Sequence, residues 1–94
     1  VQCHDIEFWP LQRIIDEALP ALADLKQSGK VRAIGVTGYP LRIFRTILTQ
    51  SRVDVVLSYC HHTLLDNTLA SEIPWLDEQG VGVLNASPLA MGLL

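Results

Sequence analysis

Charge is sparse in this sequence. Only 18% of its 94 residues are Asp, Glu, Lys or Arg, and 7 basic against 10 acidic residues leave a net charge of −3. No basic run or acidic tail interrupts that balance. A mildly acidic chain without a cationic stripe does not attract DNA, RNA or anionic lipid, so no nucleic-acid partner is expected. Cysteine is scarce as well. Cys3 and Cys60 stand far apart with no Cys-x-x-Cys spacing, which excludes a disulfide framework and points to two reduced structural thiols in a reducing, cytoplasmic setting. No apolar run reaches the length of a membrane span, so no membrane partner is expected, and no signal or transit peptide opens the chain. A Gly-rich phosphate fingerprint is missing. No metal site is expected from Cys60, His61 and His62, because consecutive side chains on an extended segment diverge and no carboxylate completes a set.

Apolar residues are abundant, at 49%, in a length that allows at most one domain. They fall into alternating short runs and helical patterns. Residues 1–5 read as a short strand. Residues 10–27 carry apolar side chains at helical spacing (Leu11, Ile14, Ile15, Ala18, Leu22, Leu25) and stop at Ser28-Gly29. Residues 31–36 read as a buried strand, 40–48 as a helix, and 53–59 as a β-branched strand. A helix capped by Asp66 or Asn67 runs to about Gln79, Gly80 ends it, and 81–85 form a fourth strand. Strand starts recur at the length of one βα unit. The later strands are continuous apolar runs, as parallel strands covered by helices require. Pro20 and Pro74 fall inside helical patterns, so a bend or break is expected just before each. Trp9 and Trp75 read as loop or helix packing.

In parallel α/β folds, chemistry gathers at the carboxyl ends of the strands. Those ends here read His4-Asp5, Thr37-Gly38, Ser58-Tyr59-Cys60-His61 and Asn85-Ala86-Ser87-Pro88. Strand alternation sends His4 and Asp5 to opposite faces, so they are not expected to pair.

Residues 21–37, Ala-Leu-Ala-Asp-Leu-Lys-Gln-Ser-Gly-Lys-Val-Arg-Ala-Ile-Gly-Val-Thr, resemble the aldo-keto reductase signature, in which a helix ends in Gly-Lys-Val-Arg and a strand runs Ile-Gly-Val-Ser. The opening Val-Gln-Cys-His-Asp-Ile-Glu-Phe, the segment 55–61 and the end 82–94 are similar to sugar-oxidising members of that family. The resemblance covers essentially the whole chain. It implies an α/β fold, a partial TIM (β/α)8 barrel made of about strands four to seven with their helices. Residues 1–94 are then an internal fragment of a single barrel domain. Two features agree with that: Val1 is not a Met, and the chain stops in an apolar stretch at Leu93-Leu94. A slice with two open sheet edges is not expected to fold alone.

The resemblance also implies an NAD(P)-dependent oxidoreductase acting on a small-molecule sugar, with NAD as cofactor and NADP as the alternative. The family's proton donor is a Tyr assisted by Lys, Asp and His. Only the His carries over, onto His4. The other three belong to earlier strands, so the fragment itself is expected to be inactive. Thr37 and Gly38 fall where the family has Ser-Asn against the nicotinamide carboxamide. Thr37 keeps a hydroxyl, whereas Gly38 has no amide and reads as a turn glycine before Tyr39-Pro40. A Gln found in many relatives falls near Val56, which leaves Ser58, on the same side of the strand, as a neighbouring candidate. Tyr59 is expected against cofactor or barrel wall. Ser87, Pro88 and Leu89 match the family's Ser-Pro-Leu, which approaches the cofactor pyrophosphate. Ala86 stands where many relatives stack an aromatic on the nicotinamide. The departures at Gly38 and Ala86 keep two rival readings open. One is a cofactor-binding barrel acting as a regulatory subunit, as potassium-channel β subunits do. The other is a small flavodoxin-like binding domain. Oligomeric state has no signal in the sequence.

Overall fold

A computed structural model describes residues 1–94. Four strands, β1 (Gln2–Cys3), β2 (Gly35–Gly38), β3 (Val55–Tyr59) and β4 (Gly82–Ala86), pair in sequence order, all parallel. Helices fill the crossovers: α1 (Leu11–Arg13) and α2 (Leu19–Gln27) after β1, α3 (Arg42–Gln50) after β2, and α4 (Ile73–Glu78) after β3. This is part of a (β/α) barrel wall, as the sequence pattern indicates.

Register sorts the side chains into two faces. Cys3, Val36, Val56 and Val83 are direct partners across the four strands and form one row. That row packs against Ile14 and Leu19, Ile43, Phe44 and Ile47 of α3, and Leu76 of α4. Each such side chain, fully buried, contributes about 1.5–3 kcal/mol. Burial also raises the Cys3 thiol, so it stays protonated and packs as a hydrophobe. On the opposite face, Gln2, Gly35, Val55 and Gly82 form one row, and Thr37, Leu57 and Leu84 the next. Leu84 is 48% exposed there, so this face is the open one.

Both internal prolines shape their helices as expected. Pro20 has no N–H, and its ring crowds the carbonyl four residues back. The backbone widens into a π turn over Ile14–Ala18, closed by the Leu19 N–H donating to the Ile14 carbonyl, and joins α1 to α2 without a gap. Pro74 sits in the first turn of α4, and the segment before it is a separate 3-10 turn, Thr68–Ser71.

β2 begins later than its apolar pattern suggests, at Gly35 rather than at residue 31. Before that point a carboxylate substitutes for the ladder. Asp54 Oδ2 accepts the Ile34 N–H at 2.8 Å, and Oδ1 accepts Lys26 Nζ at 2.7 Å. The Lys26 ammonium first, then the Ile34 N–H, holds the Asp54 carboxyl below the usual carboxylate range. A folded-state value lowered below the unfolded 3.8 adds stability that is present above that value and is lost as pH falls through the lowered one. In the whole protein, Asp54→Ala is expected to cost about 1–2 kcal/mol near neutral pH, because it orphans the Ile34 N–H. Denaturant titrations of variant and parent should converge as the solution is acidified below 3.8. A gap that persists undiminished in acid would contradict this role.

Candidate active site

One hollow of about 400 Å³ lies at the carboxyl ends of the strands, and every strand contributes to it. His4 and Asp5 follow β1, Thr37 comes from β2, Leu57 and Tyr59 from β3, and Ala86 from β4, with Ser87 and Met91 just beyond. A hollow of about 490 Å³ at the other end of the strands, beside Lys26, Arg52 and Asp54, is larger. Lys26 and Asp54 there are engaged in fixing the start of β2, and chemistry in parallel barrels sits at the carboxyl end. Backbone strain makes the same choice. All five non-glycine residues with positive φ, Asp5, Cys60, Ser87, Ala90 and Met91, lie just past the carboxyl ends of strands. Left-handed backbone at such residues costs on the order of 1–3 kcal/mol each and gathers at functional sites.

His4 is exposed at the rim, and its Nδ1 lies 3.1 Å from Asp5 Oδ1. The expected divergence of these two residues does not occur. Alternation requires extended backbone, β1 ends at Cys3, and Asp5 turns to φ 54. A carboxylate only accepts, so the contact favours the tautomer with hydrogen on Nδ1. Nε2 then keeps its lone pair for a ligand hydroxyl. The protonated imidazolium would donate from the same atom.

Thr37 is fully buried at the pocket floor, where its hydroxyl donates to Gln2 Oε1 and its remaining lone pair can accept. Ser87 lines the wall, with Oγ 3.6 Å from Met91 Sδ. Pro88 and Leu89 lie in the turn that follows and do not line the hollow. Leu89 is largely exposed.

Gly38 and Ser58 point elsewhere. They are direct partners in the ladder and belong with Val36 and Val56 to the helix-covered face. Ser58 Oγ is buried there without a hydrogen-bond partner, so its side chain does not reach the pocket. Val56, fully buried in the same face, is equally remote. The β3 residues that line the hollow are Leu57 and Tyr59, one position out of phase with Val56 and Ser58. Gly38 is not a turn glycine. It lies inside β2 with no positive φ, and a Cβ there would stand 2.6 Å from Ile43 Cδ1 and 3.2 Å from Glu7 Oε2. Crowding by the ends of the Ile43 and Glu7 side chains, not backbone freedom, is what favours glycine at this position.

Sequence reasoning gave little weight to Tyr59 and none to Glu7. The Tyr59 hydroxyl donates to Glu7 Oε1 at 3.1 Å. Burial and that carboxylate push the phenol up to about 12, so it remains protonated at neutral pH. Tyr39 lies 5.3 Å from the Tyr59 ring and stacks on His61 at 4.6 Å. The signal for Tyr59 was its place at a strand end, and its face could be read only from the register.

A parallel βα wall whose strand ends converge on one polar-rimmed pocket defines a barrel of the class that carries its site at the carboxyl end of the strands. The sequence model of the Aldo/keto reductase family matches residues 1–94, and the chain belongs to that family. It is 55% identical over 97 aligned residues to L-galactose dehydrogenase of Arabidopsis thaliana, a match that covers 100% of this chain and 30% of that protein. It is also 36% identical to D-arabinose 1-dehydrogenase of Saccharomyces cerevisiae over 105 residues, again all of this chain and 31% of that protein. NADH-specific methylglyoxal reductase of Escherichia coli is 32% identical over 81 residues, covering 85% of this chain and 24% of that protein. The chain therefore spans about a third or less of the length of these relatives. No helix is long and apolar enough to cross a membrane.

Proposed function

We propose that residues 1–94 are an internal segment of one barrel domain of a cytoplasmic NAD(P)-dependent dehydrogenase. The reading is that the whole protein oxidises L-galactose at C1 to L-galactono-1,4-lactone, on the route to ascorbate, with NAD as the favoured cofactor. The supporting observation is the single pocket to which all four strands deliver His4, Thr37, Tyr59 and Ala86. Identity of 55% to a protein named L-galactose dehydrogenase supports the substrate.

The residues present fit a nicotinamide nucleotide. A floor hydroxyl with a free lone pair, Thr37, suits a carboxamide N–H, and the Ser87-Pro88-Leu89 turn suits the approach of a phosphate-bearing chain. When bound, the nicotinamide supplies the hydride acceptor. His4 has a narrower task. Its Nε2, freed by the Asp5 contact, accepts a hydrogen bond from a sugar hydroxyl beside C1 and so orients the C1–H bond, leaving the C1 hydroxyl proton free to be removed. Proton removal from that hydroxyl falls to the family's Tyr, which belongs to an earlier strand. Neither Tyr39 nor Tyr59 lies in that Tyr's motif, and the phenol of Tyr59, donated to Glu7 and titrating near 12, is not poised as a base. Ser58 and Gly38 contribute no side chain to the cofactor on this reading.

The test is turnover by the purified whole protein. NADH should appear on mixing NAD with L-galactose, at a higher kcat/KM than with D-arabinose. Cofactor binding without oxidation of any aldose would instead favour the regulatory-barrel reading, which draws on the departures at Gly38 and Ala86.

A further inference from the structure

The two positions that depart from the family pattern, Gly38 and Ala86, are ends of one connected arrangement. Removing the side chain at Gly38 leaves room for Glu7, whose Oε2 lies 3.2 Å from the point a Cβ would occupy. The other oxygen of the same carboxylate accepts the Tyr59 hydroxyl at 3.1 Å. Tyr59 is in turn the direct ladder partner of Ala86, on the same face of the sheet, and both line the pocket. The phenol ring turns toward Glu7 and Tyr39, which follow β1 and β2, and on its other flank only the Ala86 methyl group stands beside it in the pocket lining. Ring position is restrained twice, by Glu7 at the hydroxyl and by the Tyr39 ring at 5.3 Å and 40°.

We infer that Tyr59, braced by Glu7, is the aromatic wall against which the nicotinamide ring lies, in place of the β4 side chain that Ala86 lacks. This rests on the function proposed above and adds a binding residue to it. Tyr59 is the ligand-contacting group. Glu7 is a positioning residue that acts through the phenol. A flat π face offset-stacked on a heteroaromatic ring stabilises it beyond simple burial. The effect is confined to the nicotinamide half of the cofactor, and that is what separates it from a role in folding.

The experiment measures equilibrium binding of NADH and of ADP-ribose, which has no nicotinamide, to the whole protein. Tyr59→Ala is expected to weaken NADH roughly tenfold and leave ADP-ribose within about twofold of the parent. Tyr59→Phe, which keeps the ring, should stay within about threefold for both. Glu7→Ala should weaken NADH by less than Tyr59→Ala does, again without affecting ADP-ribose. Unchanged NADH affinity in Tyr59→Ala overturns the assignment, and so does parallel loss of both ligands. Parent protein that binds neither ligand overturns the dehydrogenase reading itself. Parent protein that binds both while Tyr59→Ala is silent overturns only the wall.

Discussion

In the whole protein, His4→Ala is expected to lower kcat for aldose oxidation by about 100-fold, the usual cost of losing a group that holds the reacting atoms in place. Cofactor affinity stays within roughly twofold, because His4 acts on the sugar and not on the cofactor. The basis is geometric. His4 stands at the rim of the hollow to which all four strands contribute, and the contact of Nδ1 with Asp5 at 3.1 Å leaves Nε2 without a protein partner. Asp5→Asn should act in the same direction with a smaller effect, since the pair is exposed and such contacts are weak. Steady-state kinetics with parallel NADH binding checks both. Full turnover by His4→Ala would remove His4 from the chemistry.

Gly35→Ala carries the largest expected effect on stability. A Cβ at Gly35 would lie 2.4 Å from the Val55 carbonyl oxygen and 2.6 Å from Val55 Cγ1. The first of these is backbone in the paired strand, so relief requires β2 and β3 to separate. The expected cost is about 3 kcal/mol, the upper end for overpacking a core site. Gly29 supplies the comparison. It ends α2 at φ +80 with nothing within 4 Å, so Gly29→Ala meets only the left-handed penalty of about 1–2 kcal/mol. Urea midpoints of the two variants should rank Gly35→Ala well below Gly29→Ala. Equal midpoints would show that the β2–β3 spacing is not as tight as the register implies. Because Thr37 follows Gly35 on the same face, loss of that spacing would also disturb the pocket floor.

The element order, the parallel sheet and the strand ends were legible in the sequence because they depend on local patterns: apolar runs, Gly stops and helical spacing. Pro20 and Pro74 announced their breaks for the same reason. Which face each residue takes was not legible. Ser58 and Val56 share a face, as alternation requires, but that face is the helix-covered one, and only pairing with Val36 and Gly38 decides it. Leu57 and Tyr59 therefore line the pocket instead. The His4–Asp5 contact escaped prediction because a two-residue strand followed by left-handed backbone does not alternate. The late start of β2 escaped because Asp54, 20 residues away, bonds the Ile34 N–H that a ladder partner would otherwise take. Gly38 looked like a turn residue because Tyr-Pro follows it. Its real constraint, the side chains of Ile43, Ile6 and Glu7, comes from three-dimensional neighbours.

Amide hydrogen exchange in the whole protein, with and without saturating NADH, bears most directly on the idea that the four strand tips share one ligand. Protection is predicted at residues 2–5, 35–38, 57–61 and 85–91, with no change around Lys26, Arg52 and Gly80 at the opposite end of the sheet. Protection confined to that opposite end, or spread over the helices while the strand tips exchange as before, would contradict it.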